Sequence, residues 1–326
     1  MSNITDPPPP LVAADLATLR TKLDTTLPKK DAGKNILLAT WNLRAFGGLT
    51  KKWTNAAGDT PQRNFHAIVC IAEILSRFDV IAVQEVKGDL RALRHLLKVL
   101  GERWAFLMTD VVAGDPGNDE RLAFLFDTER VKPSGLACEL VLPETARTGL
   151  PDPANTFQRQ FARTPYAVSF LASGATFIMV TLHVVYGTAS STTDRLDELT
   201  AIAKWLAGWA TDASVYDHNL IALGDFNIDR VDDPLYKAFT STGLFTPPDL
   251  NLVPRTIFAK PGQPQKDKHY DQIAWFNTAD GIPKLSLTYV KGGFVDFRGS
   301  VMASLAPEAL SWRVSDHFPL WAEFAV

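Results

Sequence analysis

Apolar residues fall in two spacings along this chain of 326 residues. Short, nearly continuous apolar runs read as strands buried on both faces. They cover Ile36 to Trp41 and Val80 to Val83, with further runs near 104–109, 121–126, 166–171, 176–184, 219–224, 271–276 and 317–325. Stretches with apolar positions three and four apart read as helices. One covers about 11–25, with Leu16, Leu19 and Leu23 on one face. A second opens at Thr60-Pro61, threonine as cap and proline in the first turn, and carries Phe65, Ile68, Ile71, Ala72 and Leu75. A third runs from Asp89 through Leu90, Leu93, Leu97 and Leu100 to a stop at Gly101. A fourth spans about 192–210, with Leu196, Leu199, Ile202, Ala203 and Leu206 inward.

Strands outnumber helices, and several follow one another through short links, which suits antiparallel pairing. The pattern predicts packed sheets flanked by helices more than a doubly wound parallel sheet. Gly, Pro and Asp mark the connections, among them Leu150 to Asn155 and Pro247 to Asn251. Residues 1–10 end in Pro7 to Pro10 and are expected to be disordered, the prolines in polyproline II. With the short first helix they form an appendage, 1–34, ahead of a single domain over 35–326.

Apolar residues make up 46% of the chain and charged residues 21%, ordinary values for a soluble protein with a sizeable core. The net charge of −3 excludes a general basic coat, so any attraction for phosphate must be local. Lys51, Lys52, Arg163, Lys260, Lys266 and Lys268 are the candidate cations. Cys70 and Cys138 are too few for a disulfide framework, no His/Cys cluster suggests structural zinc, and both are expected to be reduced. The N-terminus lacks the basic start and apolar core of a signal peptide. No run approaches the ~20 apolar residues that span a bilayer. A cytoplasmic monomer with no stable membrane insertion is the expectation.

Polar clusters interrupt the pattern at the ends of the apolar runs: Trp41-Asn42-Leu43-Arg44, Gln84-Glu85-Val86, Leu182-His183-Val184, Gly224-Asp225-Phe226-Asn227 and Ser315-Asp316-His317. Each alone has an ordinary structural reading. Asn42 can cap a turn, Glu85 can form an ion pair, His183 can be a satisfied histidine, Asp225 and Asn227 can make an Asx turn, and Asp316 can cap. Five strand ends would need five independent excuses. Carboxylates, amides and imidazoles buried there are costly unless paired or metal-bound.

In order and wording, Thr40-Trp41-Asn42, Val83-Gln84-Glu85-Val86, Thr181-Leu182-His183, Gly224-Asp225-Phe226-Asn227, Tyr270-Asp271-Gln272-Ile273 and Ser315-Asp316-His317-Phe318-Pro319 resemble the successive motifs of the endonuclease/exonuclease/phosphatase superfamily. The resemblance covers residues 35–326. It implies an α/β fold, a four-layer α/β/β/α sandwich of two packed mixed sheets flanked by helices, like deoxyribonuclease I. It implies a Mg²⁺-dependent phosphoesterase, with Mn²⁺ as a substitute. The substrate would be a phosphodiester, nucleic acid (DNA or RNA) first, with a phospholipid headgroup, an inositol phosphate or another small phosphoester as alternatives. A non-catalytic binding module on the same fold is the alternative of another class.

By that resemblance Glu85, Asn42 and Asp316 would hold the metal. His183 and His317 would serve as base and acid, in an order the sequence leaves open, with Glu120 orienting His183 and Asp271 orienting His317. Asp225 would polarise the attacking water, and Asn227 and Arg163 would contact phosphoryl oxygens. Glu120-Arg121 and the Arg163-Thr164-Pro165-Tyr166 segment resemble the deoxyribonuclease I branch, while the histidine motif with downstream Arg195 and Glu198 resembles the deoxyribonuclease, sphingomyelinase and inositol phosphatase branches alike. The apurinic-endonuclease branch carries a Tyr-containing segment there and an Arg in the Asp271 motif, and this chain has neither. No aromatic membrane-inserting hairpin is evident; Tyr186-Gly187 begins a loop of small residues.

Overall fold

The computed structural model describes residues 3–112, 118–141, 161–186, 193–212, 219–260, 267–278 and 280–326. The connection expected at Leu150 to Asn155, and Lys266, lie outside the described residues.

Two six-stranded sheets form the centre. The first contains β1 (Asn35–Phe46), β2 (Val80–Lys87), β3 (Trp104–Met108), β4 (Glu120–Asp127), β11 (Thr288–Phe294) and β12 (Leu320–Ala325), in the order β11-β12-β1-β2-β4-β3. The second contains β5 (Lys132–Glu139), β6 (Tyr166–Ala172), β7 (Ala175–His183), β8 (Leu220–Asp225), β9 (Leu244–Phe245) and β10 (Asp271–Phe276), in the order β5-β6-β7-β8-β10-β9. Each sheet has one parallel pair at its heart, β1 with β2 and β7 with β8. The other pairs are antiparallel.

Strand alternation sorts the side chains into layers. Ile36 and Leu38 of β1, Val80 and Ala82 of β2, Phe177 and Met179 of β7, and Ile221 and Leu223 of β8 meet between the sheets. The intervening Leu37, Ala39, Trp41, Ile81 and Val83 face outward onto α1 (Pro10–Thr26), α2 (Phe65–Leu75) and α3 (Arg91–Leu100). On the far side, Ile178, Val180, Leu182 and Ala222 pack on α4 (Thr193–Thr211) and α5 (Pro234–Thr240). Short helices α6 (Pro248–Asn251) and α7 (Pro307–Ser311) complete the set. This is the four-layer α/β sandwich that the motif order implies.

Three expectations change. Disorder is expected over residues 1–10, yet Ile4 is 3% exposed and joins the core under the first sheet's helices. α1 is docked, with Leu16, Leu19 and Leu23 buried and Asp15 accepting from Met302 N at 2.8 Å. The second helix begins at Phe65, not at Pro61. Thr50 N donates to Arg63 O and Phe65 N to Lys52 O, which holds residues 50–65 as a paired loop, and Asn64 caps the helix by accepting from Ala67 N at 3.0 Å. The last strand begins at Leu320, because His317 is drawn instead into a bridge with Thr256.

Candidate active site

The face that is apolar between the sheets turns polar at one end. In β1 the inward row Ile36, Leu38 continues as Thr40, Asn42, and in β2 Val80, Ala82 continues as Gln84. In β7 Phe177, Met179 continues as Thr181, His183, and in β8 Ile221, Leu223 ends in Asp225. Gln84 Nε2 donates to Thr40 Oγ1 at 3.0 Å and to Thr181 Oγ1 at 2.9 Å. This bridge ties the two sheets together and forms the floor on which the site sits.

Glu85 breaks the alternation that would turn it away. Its φ is +62°, and the pairing of β2 shifts register against both neighbours, between Val83 and Val86 and between Asn42 and Phe46. Such a bulge re-aims a side chain. Glu85 Oε1 thereby accepts from Asn42 Nδ2 at 2.9 Å and Oε2 from Ala45 N at 2.7 Å. Across the cleft, Gly224 has φ +141°, and a Cβ there would lie 2.1 Å from Leu182 O. Only glycine lets β7 and β8 approach closely enough to set His183 opposite Asp225.

Asp225 Oδ2 is the hub. It accepts from Asn42 Nδ2 at 3.0 Å, and the Nε2 atoms of His183 and His317 lie 3.6 and 3.9 Å from it. Each imidazole has an acid behind it. His317 Nδ1 is 2.7 Å from Asp271 Oδ2, and His183 Nδ1 is 3.1 Å from Glu120 Oε2, the latter an ion-pair contact without hydrogen-bond alignment. Burial disfavours a charged His317, but Asp271, Asp225 and Asp316 outweigh it and hold the imidazole well above its ordinary value. Burial likewise raises Glu120, but His183, Arg163 and Lys87 prevail and hold its carboxyl at about 2. Glu120 is thus a fixed anion, whereas burial raises Asp271 despite its contact with His317.

Arg163 is 9% exposed, and its Nε lies 2.5 Å from Glu120 Oε2, while its buried Nη1 has no hydrogen-bond partner among the described residues. A cation so placed lacks one acceptor. Asn227 Nδ2 donates to Val184 O at 2.7 Å and its backbone N to Asp225 Oδ1 at 2.9 Å, while Arg195 Nη1 holds its carbonyl at 3.0 Å. Asp316 stands at the edge, its Oδ2 3.3 Å from Arg44 Nη1. Among the described residues, Glu85, Glu120 and His183 offer ligand atoms within 4.8 Å of one another. Glu120 is already engaged by Lys87 at 2.9 Å and by Arg163, so the carboxylate with capacity to spare for a hard cation is Glu85.

The structure therefore gathers Asn42, Glu85, Glu120, Arg163, His183, Asp225, Asn227, Asp271 and His317 into one cleft, with Asp316 at its margin. Of the other candidate cations, Lys268 lies beside Tyr270, its Nζ 5.6 Å from the ring, and is paired with Asp229, while Lys52 is paired with Asp59.

Sequence reasoning gave no role to Lys87, Gln84 or Arg63, and cited Glu198 only as a branch marker. Glu198 is buried on α4. Its Oε1 accepts from Ala162 N and its Oε2 from Val185 N, both at 3.0 Å, which pins the chain beside Arg163 and just after His183. Burial pushes its carboxyl up to about 7, against the two backbone donors and the charges of Arg163 and His183. The folded state then keeps a proton that the unfolded chain releases above 4.5, so stability falls as pH rises from 4.5 to 7. The slope is at most about 1.4 kcal/mol per pH unit. Glu198→Gln removes that titration. In urea melts the stability of wild type minus variant is expected to drop by roughly 1–3 kcal/mol across this window. A flat difference would sink the assignment.

A curated deoxyribonuclease from Thioalkalivibrio sp. (strain K90mix) is 28% identical over 199 residues, 60% of this chain and 46% of that protein. The chain thus spans less than half the length of that relative. A mannosyl-6-phosphatase of Bacteroides thetaiotaomicron VPI-5482 superposes with a TM-score of 0.57 at 18% identity, over 89% of this chain and 100% of that one. D. rerio TDP2 in complex with a single strand DNA product superposes with a TM-score of 0.55 at 14% identity, over 90% and 99%. At such identities the solved structures speak for the fold alone. The model of the Endonuclease/Exonuclease/phosphatase family matches residues 39–317, and the chain belongs to that family.

Proposed function

We propose that this protein is a divalent-cation-dependent phosphodiesterase acting on nucleic acid. One observation carries the reading: two imidazoles, each backed by its own carboxylate, present their Nε2 atoms to the same Asp225 oxygen beside Glu85. A hydrolytic phosphoester cleavage needs one group to take a proton from water and another to give one to the departing oxygen. His183 and His317 supply that pair. The acid behind each ring fixes its Nδ1 and directs its Nε2 into the cleft. Asp225 orients the attacking water, and the unpartnered Nη1 of Arg163 donates to a nonbridging oxygen. The new P–O bond forms from water as the bond to the leaving oxygen breaks. The water's proton ends on one imidazole, and the other imidazole's proton ends on the leaving oxygen.

The donor set at the margin fits Mg²⁺ or Mn²⁺: Glu85, with Asn42 bracing it and Asp316 near. A cation bound there would neutralise charge that builds on the phosphoryl oxygens. Nucleic acid is favoured by the deoxyribonuclease relative.

The test is hydrolysis of bis-p-nitrophenyl phosphate with Mg²⁺ or Mn²⁺, followed by plasmid DNA, RNA, sphingomyelin and inositol phosphates. Chelation and Glu85→Ala are each expected to lower kcat at least ~100-fold. Turnover that persists in both refutes cation dependence. Cleavage of sphingomyelin or inositol phosphates but of neither nucleic acid refutes the substrate.

A further inference from the structure

Two aromatic platforms, each with one exposed ring, border the cleft, and the hydrolytic machinery uses neither. Trp312, just past α7, is 52% exposed. The Arg44 guanidinium lies 3.9 Å from its ring centre, and Arg44 Nη1 is held by Ser311 Oγ at 2.6 Å and faces Asp316. Arg44 faces Asp316, so this platform borders the cleft at its Asp316 margin. The Tyr270 ring, half-buried, lies near-parallel to the His317 imidazole, 5.6 Å between centres and 27° between planes. Tyr186, 47% exposed, meets Tyr270 edge-on at 6.4 Å. Arg195 sits 4.8 Å from the Tyr186 ring and Lys268 5.6 Å from the Tyr270 ring.

We propose that these platforms stack the nucleobases on either side of the scissile phosphate, so that the substrate is unpaired, single-stranded nucleic acid; the inference rests on the nucleic-acid reading above. Stacking on aromatic rings demands a free base face. A base inside a duplex already has both faces covered by its neighbours, whereas an unpaired base can splay onto a protein ring. Charge points the same way. A duplex is held by releasing counterions along many phosphates, and a chain of net charge −3 has few cations to spare for that. Base stacking needs no such coat; Arg44 faces Asp316, and Arg195 and Lys268 both pair with Asp229, so these cations brace the rings. Each ring has a cation against it, which strengthens the platform without covering its remaining surface.

The experiment compares a short oligonucleotide, the same sequence annealed to its complement, and methyl p-nitrophenyl phosphate. Wild type is expected to cleave the single strand with the lower KM. In Trp312→Ala and in Tyr186→Ala the ratio of kcat/KM on the single strand to kcat/KM on the small diester is expected to fall about 10-fold. Most of that loss should lie in KM, and Trp312→Phe should recover most of it. A ratio that stays within about twofold in either alanine variant overturns the proposal, as does a duplex KM equal to or below that of the single strand. If wild type hydrolyses the small diester but no oligonucleotide, the nucleic-acid reading fails along with this one. If oligonucleotide is cleaved and the ratios do not move, only the platforms fail.

Discussion

His317→Ala is expected to lower kcat on bis-p-nitrophenyl phosphate by roughly 10³-fold, the scale of losing a general acid–base group, and to leave a folded protein. The side chain is 7% exposed, and its Nδ1 is held 2.7 Å from Asp271. Removing it strands the buried Asp271 carboxyl beside Arg255, whose Nε donates to the Asp271 backbone oxygen at 2.6 Å. Burial already raises the Asp271 carboxyl, so it can neutralise by protonation, and the cost to stability is about 1–3 kcal/mol. Asp271→Asn keeps a hydrogen-bond acceptor but removes the charge that holds His317 well above its ordinary value. It is expected to lower kcat by roughly 10²-fold. Because the two residues act as one unit, the double variant should fall about as far as His317→Ala alone, not to the product of the two losses. Near-wild-type turnover by His317→Ala would remove the imidazole from the reaction. Full additivity would remove Asp271 from its unit.

What the chain announced and what it hid follow from burial. β1, β2, β8 and β10 are covered on both faces, so each shows as an unbroken apolar run, and a polar residue at its end stands out. That contrast made Asn42 and Asp225 visible, whereas Asp271 was reached only through the family motif. β5 and β11 are edge strands with largely exposed residues, and their mixed composition carries no period. In β11, Gly292 sits where a Cβ would come 2.5 Å from Leu250, so close packing selected a residue that argues against a strand. Glu85 also stood out at a strand end, but alternation places it on the wrong face. The bulge that turns it inward leaves no mark in hydropathy. Trp312 and Tyr186 carry no periodic signal either, because what distinguishes them is exposure.

Arg63 is the largest omission, and its replacement should cost the most stability. It lies in a polar loop before α2, one of 33 basic residues, with nothing in its neighbourhood to single it out. The structure buries it to 2% exposure. Its Nε donates to Arg313 O at 3.0 Å, its Nη1 to Ala45 O at 2.9 Å, and its Nη2 to Leu43 O, Arg44 O and Val314 O at 2.7, 2.9 and 3.2 Å. One guanidinium therefore clamps two backbone segments. The first follows Asn42 and includes Ala45, whose N–H holds Glu85; the second leads into Ser315, whose hydroxyl donates to Asn42 O at 2.5 Å, and then into Asp316 and His317. Burial pulls Arg63 down to about 10 even with Glu85 and Asp316 near, still charged at neutral pH. Arg63→Met keeps the volume and leaves five backbone carbonyls, those of Leu43 and Val314 buried and the other three half-buried, without this donor. The expected loss is about 3–5 kcal/mol, read as a fall in Tm of roughly 5–15 °C. Arg63→Lys keeps the charge but cannot reach five acceptors from one point, so it should fall between. Because both clamped segments carry site residues, kcat should drop in Arg63→Met well below its melting temperature. A variant that melts within about 2 °C of wild type and turns over normally would show that the clamp holds nothing the site depends on.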